Sequence, residues 1–185
     1  MNIRLGFMQG RLVRPEKLKT IQYFPAKNWK KEIILSNYLN LKLIEWTINI
    51  ENIKSNPLYS YKKYKILKKF LKENPIDIQS VTCDFFMQKP FFKKEKNFSS
   101  IKILKKVILF TKKLGIKYII IPLVDNSKIE NKYQEENLIN VMKNLSKLLG
   151  KSQKFLFEID YSPTQTLKFI KRFNSKFGIN YDTGN

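Results

Sequence analysis

At 185 residues, 43% of them apolar, the chain is long enough for one domain with a substantial core and too apolar to stay disordered. A single cysteine, Cys83, and the absence of histidine exclude disulfide frameworks, zinc fingers and histidine-based triads within this chain. The formal net charge of +21 would direct attention to nucleic acid or anionic membranes. Arginine, the better bidentate phosphate ligand, is present only as Arg4, Arg11, Arg14 and Arg172, while lysines spread over nearly every predicted helix. A chain crowded with Ile, Asn, Phe and Tyr and holding one alanine, Ala26, reads its lysines as composition, so nucleic acid is set aside as a partner. The apolar run Tyr118 to Val124 is far shorter than the roughly 20 residues that cross a bilayer. Met1 to Gly6 lacks the features of a secretory signal, so a cytoplasmic protein without membrane contact is expected.

In chain order, short apolar runs alternate with longer stretches of helical spacing, which is the βα pattern. The predicted strands are Ile3 to Met8, Leu41 to Trp46, Ile76 to Phe85, Lys117 to Val124, Lys154 to Ile159 and Gly178 to Tyr181. Between them fall predicted helices at Asn28 to Leu39, Tyr59 to Glu73, Phe98 to Leu114, Gln134 to Leu149 and Pro163 to Phe173. In the third helix Ile101, Leu104, Ile108 and Leu109 share one side, with Lys102, Lys105, Lys106, Lys112 and Lys113 elsewhere. Ser162-Pro163 gives a capping hydroxyl before a first-turn proline. Leu114-Gly115 and Leu149-Gly150 supply the glycine expected beyond a helix end. There is no linker, low-complexity tract or sequence repeat, and one βα unit recurs about every 30 residues.

Six strands and five helices in this order fit an open doubly wound sheet or part of an eight-stranded barrel. No Gly-x-Gly-x-x-Gly follows the first strand, and polar residues collect after many strand ends rather than at one switch point. The expected fold is therefore a single α/β domain over residues 1–185, of (β/α)8 TIM-barrel type. A full barrel takes about 250 residues, so the reading is of an incomplete barrel short of about two C-terminal units.

Chemistry belongs at the strand ends. Glu158 and Asp182 end the fifth and sixth predicted strands, and oxygen donors on adjacent strands suit Mg²⁺ or Mn²⁺. Such an ion would hold two oxygens of a hydroxy-ketone and stabilise an enediolate, with a carboxylate removing the proton beside the carbonyl. Spacing alone leaves open that Glu158 caps a helix and Asp182 opens a turn. Gln9-Gly10-Arg11-Leu12 follows the first strand, where Gly10 permits a tight turn and Arg11 is available to an anionic or hydroxylated substrate, or is a plain surface arginine. Glu45 ends the second strand as a hydroxyl binder; Trp46 walls the pocket or packs the core. Asp84 is a further substrate contact, Cys83 a buried apolar residue rather than a nucleophile, and Asp125 a substrate contact or a loop start. Phe24, Phe91 and Phe92 form either an apolar lid or core.

Jointly these segments resemble the sugar phosphate isomerase/epimerase proteins of the xylose isomerase-like TIM-barrel superfamily, AP endonuclease 2 type. The resemblance rests on residues 6–12, Phe24-Pro25 with Trp29, Ile44-Glu45-Trp46, Asn56-Pro57-Leu58, residues 81–87, residues 121–125, Phe157-Glu158-Ile159-Asp160 and residues 180–185, in family order along the whole chain. It implies a divalent metal, Mn²⁺ or Mg²⁺ with Co²⁺ or Zn²⁺ as alternatives. Glu158 would be a ligand and acid/base group, Asp182 a second ligand. The family's histidine and second glutamate belong to two last strands that this sequence does not contain, so the chain by itself is expected to be an inactive, self-associating fragment of an enzyme. Many relatives place a histidine where Asn185 stands, and Asn185 is carried over only as a substrate contact. The expected function is a metal-dependent sugar (phosphate) isomerase or epimerase acting on a small sugar or keto-acid. Alternatives are a metal-dependent lyase or dehydratase of a hydroxy acid, and a basic endonuclease-like protein that binds nucleic acid.

Overall fold

A computed structural model describes residues 5–15, 22–93 and 98–183. Ile3, Gly184 and Asn185 lie outside them. The apolar runs become six strands: β1 Gly6–Met8, β2 Leu43–Thr47, β3 Asp77–Thr82, β4 Tyr118–Pro122, β5 Lys154–Glu158 and β6 Phe177–Ile179. They form one sheet in chain order, with every neighbouring pair parallel. The helices are α1 Trp29–Tyr38, α2 Tyr61–Glu73, α3 Phe85–Gln88, α4 Phe98–Leu114, α5 Lys132–Ser146 and α6 Pro163–Ile170. A strand order that never doubles back differs from the doubly wound arrangement, in which the order reverses at a switch point. This is an incomplete TIM-barrel-like α/β fold, with β1 and β6 as the outer strands among the described residues.

Alternation along the strands divides two environments. Ile44, Trp46, Val81, Cys83, Ile119, Ile121, Phe155, Phe157 and Phe177 are buried in the hydrophobic core that the helices cover. Trp46 is fully buried, its ring 5.7 Å from Phe24 and 5.9 Å from Trp29. Its indole Nε1 donates to Asn56 Oδ1 at 3.2 Å, and Asn56 Nδ2 donates to the Thr47 carbonyl at 3.0 Å. The Asn56-Pro57-Leu58 segment thus satisfies the polar edge of a core tryptophan, which is therefore no pocket wall. Phe24, Phe91 and Phe92 are buried in the same core rather than forming a lid, and Cys83 sits there too, its thiol pushed up by burial.

Several boundaries moved for local reasons. The third predicted strand stops at Thr82, because Phe86 N–H bonds the Cys83 carbonyl and closes the one-turn helix α3. Leu109 of α4 is exposed; Val107, Phe110 and Thr111 complete the buried side with Leu104 and Ile108. Gly115 ends α4 at φ 75° as expected, whereas α5 ends at Ser146 and Gly150 is no cap: its N–H donates to Gln153 Oε1 at 2.9 Å.

At α6 the predicted cap is present as a reciprocal box, in which Gln165 N–H donates to Ser162 Oγ and Ser162 N–H donates to Gln165 Oε1 at 3.1 Å. Replacing Ser162 with Ala is expected to cost about 1 kcal/mol in urea unfolding, with no change in slope. Among the described residues no helix is long and apolar enough to cross a membrane.

Candidate functional site at the strand ends

Glu45 is the pivot of the β2–β3 end. The register shifts by one residue between Ile44 and Glu45, which sets Glu45 opposite Ser80 instead of Gln79. The shift aims Ser80 and Thr82, two residues apart on one face, at the same carboxylate. Ser80 Oγ donates to Glu45 Oε2 at 2.7 Å and Thr82 Oγ1 to Oε1 at 2.6 Å. Both oxygens of Glu45 are engaged. Next to it an open groove of about 440 Å³ crosses β1–β4, lined in part by Met8, Leu43, Ser80 and Tyr118.

Asp84 follows β3, 5% exposed, and its Oδ1 accepts from Gln22 Nε2 at 3.0 Å. It borders a cavity of about 200 Å³ shared with Gln22, Asn49, Glu51 and Gln88. Burial first, then the charge of Glu158 and after it that of Glu45, push the Asp84 carboxyl from its ordinary 3.8 up to about 8. Three acids, Glu45 within β2, Asp84 just after β3 and Glu158 at the end of β5, therefore act on one another electrostatically, which favours the protonated form of Asp84.

Glu158 closes β5, half-buried, with Asn180 Nδ2 3.4 Å from its Oε2 and its own carbonyl accepting Leu123 N–H at 2.8 Å. It does not cap α6, where Ser162 has that role. Asp182 is exposed and lines, with Asn180, Tyr181 and residues of α6, a separate cavity of about 580 Å³. Gln9 is fully buried: its N–H donates to the Glu45 carbonyl at 3.0 Å and its Oε1 accepts Thr47 N–H at 3.0 Å. Arg11 is exposed on the turn after β1, where Gly10 has φ 93°. Asp125 is exposed and opens a short turn at φ 50°, a backbone conformation that Asp tolerates better than most residues. Asn185 lies outside the described residues.

Side chains that sequence reasoning missed complete the picture: Ser80 and Thr82 on Glu45, Gln22 on Asp84, Asn180 at Glu158, and Glu32, whose Oε1 accepts the N–H groups of Gly10 at 2.7 Å and Leu12 at 3.1 Å. Two signals were available. Ser80 and Thr82 repeat with period two and flank the buried Val81 in β3. Glu32 falls on the buried stripe Trp29, Glu32, Ile33, Ser36, which has helical i, i+3, i+4, i+7 spacing.

The donors at the strand ends are all oxygens, which match a hard divalent cation by chemistry. By geometry they make an open set: among the described residues no three of His, Cys, Asp or Glu gather to hold a metal ion. A Mg²⁺-like ion asks for no more than one or two carboxylates, with water and substrate filling the rest.

In sequence the chain matches no family model and no curated protein. In structure it is similar to a xylose isomerase domain protein from Planctomyces limnophilus, with TM-score 0.65 and 14% identity over 83% of this chain and 58% of that one. It is likewise similar to the 3-keto-D-glucoside 4-epimerase of E. coli in its apo form, with TM-score 0.62 and 10% identity over 96% of this chain and 67% of that one. The chain thus spans little more than half of the first neighbour and about two thirds of the second. Six consecutive parallel strands with their helices thus give the chain an incomplete TIM-barrel-like α/β fold that it shares with both neighbours.

Proposed function

We propose that this chain carries the proton-transfer end of a sugar isomerase or epimerase, with Glu158 as the base and Asp84 as its protonated partner. The observation that carries the reading is the convergence of Glu45, Asp84 and Glu158 at one end of the sheet, where Asp84 is 5% exposed and its carboxyl stands near 8. Environments that push two neighbouring carboxyls apart assign one to take a proton and the other to give one. Glu158 removes the proton beside a substrate carbonyl, and Asp84 returns one to the resulting enediolate at the neighbouring oxygen or carbon. Glu45, its oxygens occupied by Ser80 and Thr82, is fixed and orients rather than reacts. Arg11 and Asn180 stand at the same end as contacts for hydroxyl or phosphate oxygens.

Glu158 at the end of β5 and Asp182, three residues past β6, would hold a divalent cation, Mn²⁺ or Mg²⁺ by donor chemistry. When bound it would stabilise negative charge developing on the substrate oxygens. A small keto-sugar is the substrate class, in keeping with the sugar epimerase among the structural neighbours. Asp84 supplies a second ionisable carboxyl near Glu158.

Incubation of the protein with a panel of ketoses and Mn²⁺ in D₂O tests this by proton NMR. Deuterium entering the carbon beside the carbonyl of at least one ketose is expected. No incorporation across the panel, with the protein folded, would sink the reading.

A further inference from the structure

Glu32 is fully buried on α1 and its carboxylate is spent on the main chain of a turn 20 and more residues earlier. Oε1 accepts from Gly10 and Leu12, while Oε2 is buried with no partner among the described residues. Gly10 at φ 93° lets consecutive N–H groups point one way, the geometry of an amide nest for an anion. Here the anion belongs to the protein. A buried carboxylate with one free oxygen is costly to keep for packing alone, and the turn it holds is not isolated.

Tyr23 packs directly on that turn. A Cβ added to Gly10 would lie 2.7 Å from the Tyr23 carbonyl oxygen and 2.9 Å from its ring, and Tyr23 Oη donates to the Arg14 carbonyl at 2.9 Å. The residue before it, Gln22, donates to Asp84. The residue after it, Phe24, donates its N–H to Asn49 Oδ1 at 3.4 Å, on the wall of the same small cavity as Asp84. A continuous path of contacts therefore runs from Glu32 through Gly10 and Tyr23 to Gln22 and Asp84.

We propose that Glu32 is a positioning residue, its carboxylate locking the Gly10–Leu12 turn and, through Tyr23, setting Gln22 against Asp84. The proposal deepens the proton-transfer reading and rests on it for the meaning of Asp84, not for the lock itself. The lock also has a proton of its own. Burial raises the Glu32 carboxyl from 4.5 to about 6, and the Leu12, Gly10 and Arg11 amides pull it back. No side-chain charge contributes to that shift, and Arg11, Arg14, Lys30 and Lys31, the charged residues nearest in sequence, are exposed. A proton arriving on the unpartnered Oε2 leaves both bonds to Oε1 in place but weakens them, since the acceptor loses its charge.

Amide NMR of the whole chain, with Glu32→Gln and Glu32→Ala, tests the lock without any substrate. In the wild type the Gly10 and Leu12 amide protons are expected to titrate together, with a midpoint near 6. Glu32→Gln, which keeps an accepting oxygen, loses the titration but keeps both amides protected. Glu32→Ala should speed their hydrogen exchange at least about tenfold and move the Gln22 side-chain amide signals. Gly10 and Leu12 amides that stay fixed from acid to neutral pH would overturn the lock; an unmoved Gln22 amide in folded Glu32→Ala would overturn the link to Asp84. Failure of deuterium incorporation into ketoses would remove the proton-transfer reading and leave these amide signals to decide the lock alone.

Discussion

Replacing Asp84 with Asn stabilises the protein at neutral pH by about 4 kcal/mol, and the gain vanishes in acid. The sign follows from the raised carboxyl. The native state holds the Asp84 proton up to about 8, whereas the unfolded chain releases it near 3.8. Between those values folding takes up a proton, so the contribution of Asp84 to stability is intact below 3.8 and declines as pH rises through 8. Asparagine mimics the protonated carboxyl, keeps an oxygen for Gln22 and has no proton to demand. Urea unfolding of both proteins from acid to mildly alkaline pH reads the difference directly. Against a typical domain stability of about 5–15 kcal/mol the gain is large. Equal pH profiles for the two proteins would mean that Asp84 ionises normally.

Replacing Glu158 with Gln lowers deuterium incorporation into a ketose by about 10²–10⁴-fold, the range for loss of a positioned base. The glutamine keeps the size of the side chain and an acceptor for Asn180 Nδ2, 3.4 Å away in the wild type. Its effect is then chemical and not a matter of folding. The same substitution removes the largest charge acting on Asp84, so the Asp84 midpoint falls while burial keeps it above the ordinary carboxylate value. Incorporation that survives Glu158→Gln undiminished would move the base elsewhere in the site.

The order of elements was legible because each strand is a short apolar run and each helix repeats its apolar positions; all six strands lie where the runs do, and α4 spans Phe98–Leu114 as the spacing predicts. The candidate site was legible only as acids near strand ends. Glu158 was placed at a strand end from sequence, whereas Glu45, read as ending the second strand, sits in the middle of β2, and the register shift at Ile44/Glu45 that turns Ser80 and Thr82 toward it leaves no mark in a linear pattern. Asp84 was visible as a polar residue after a strand. Its protonation was not, because that depends on burial and on charges from β2 and β5 that only the folded sheet brings near. Gln9 read as a rim residue because it follows β1 directly; the short β1 instead turns it into the wall against Thr47. Glu32 was hidden by its type, since an acid beside two lysines on a helix is ordinarily a solvated residue. Only the stripe it shares with Trp29 and Ile33 marks it as buried.

A protonated Asp84 beside a charged Glu158 is the centre of this account, and the carbon-13 shift of the Asp84 carboxyl against pH measures it without any substrate. A midpoint near 8 that drops in Glu158→Gln is the predicted result. A midpoint near the ordinary 3.8, indifferent to Glu158, would contradict it and leave the strand-end acids as separate surface groups.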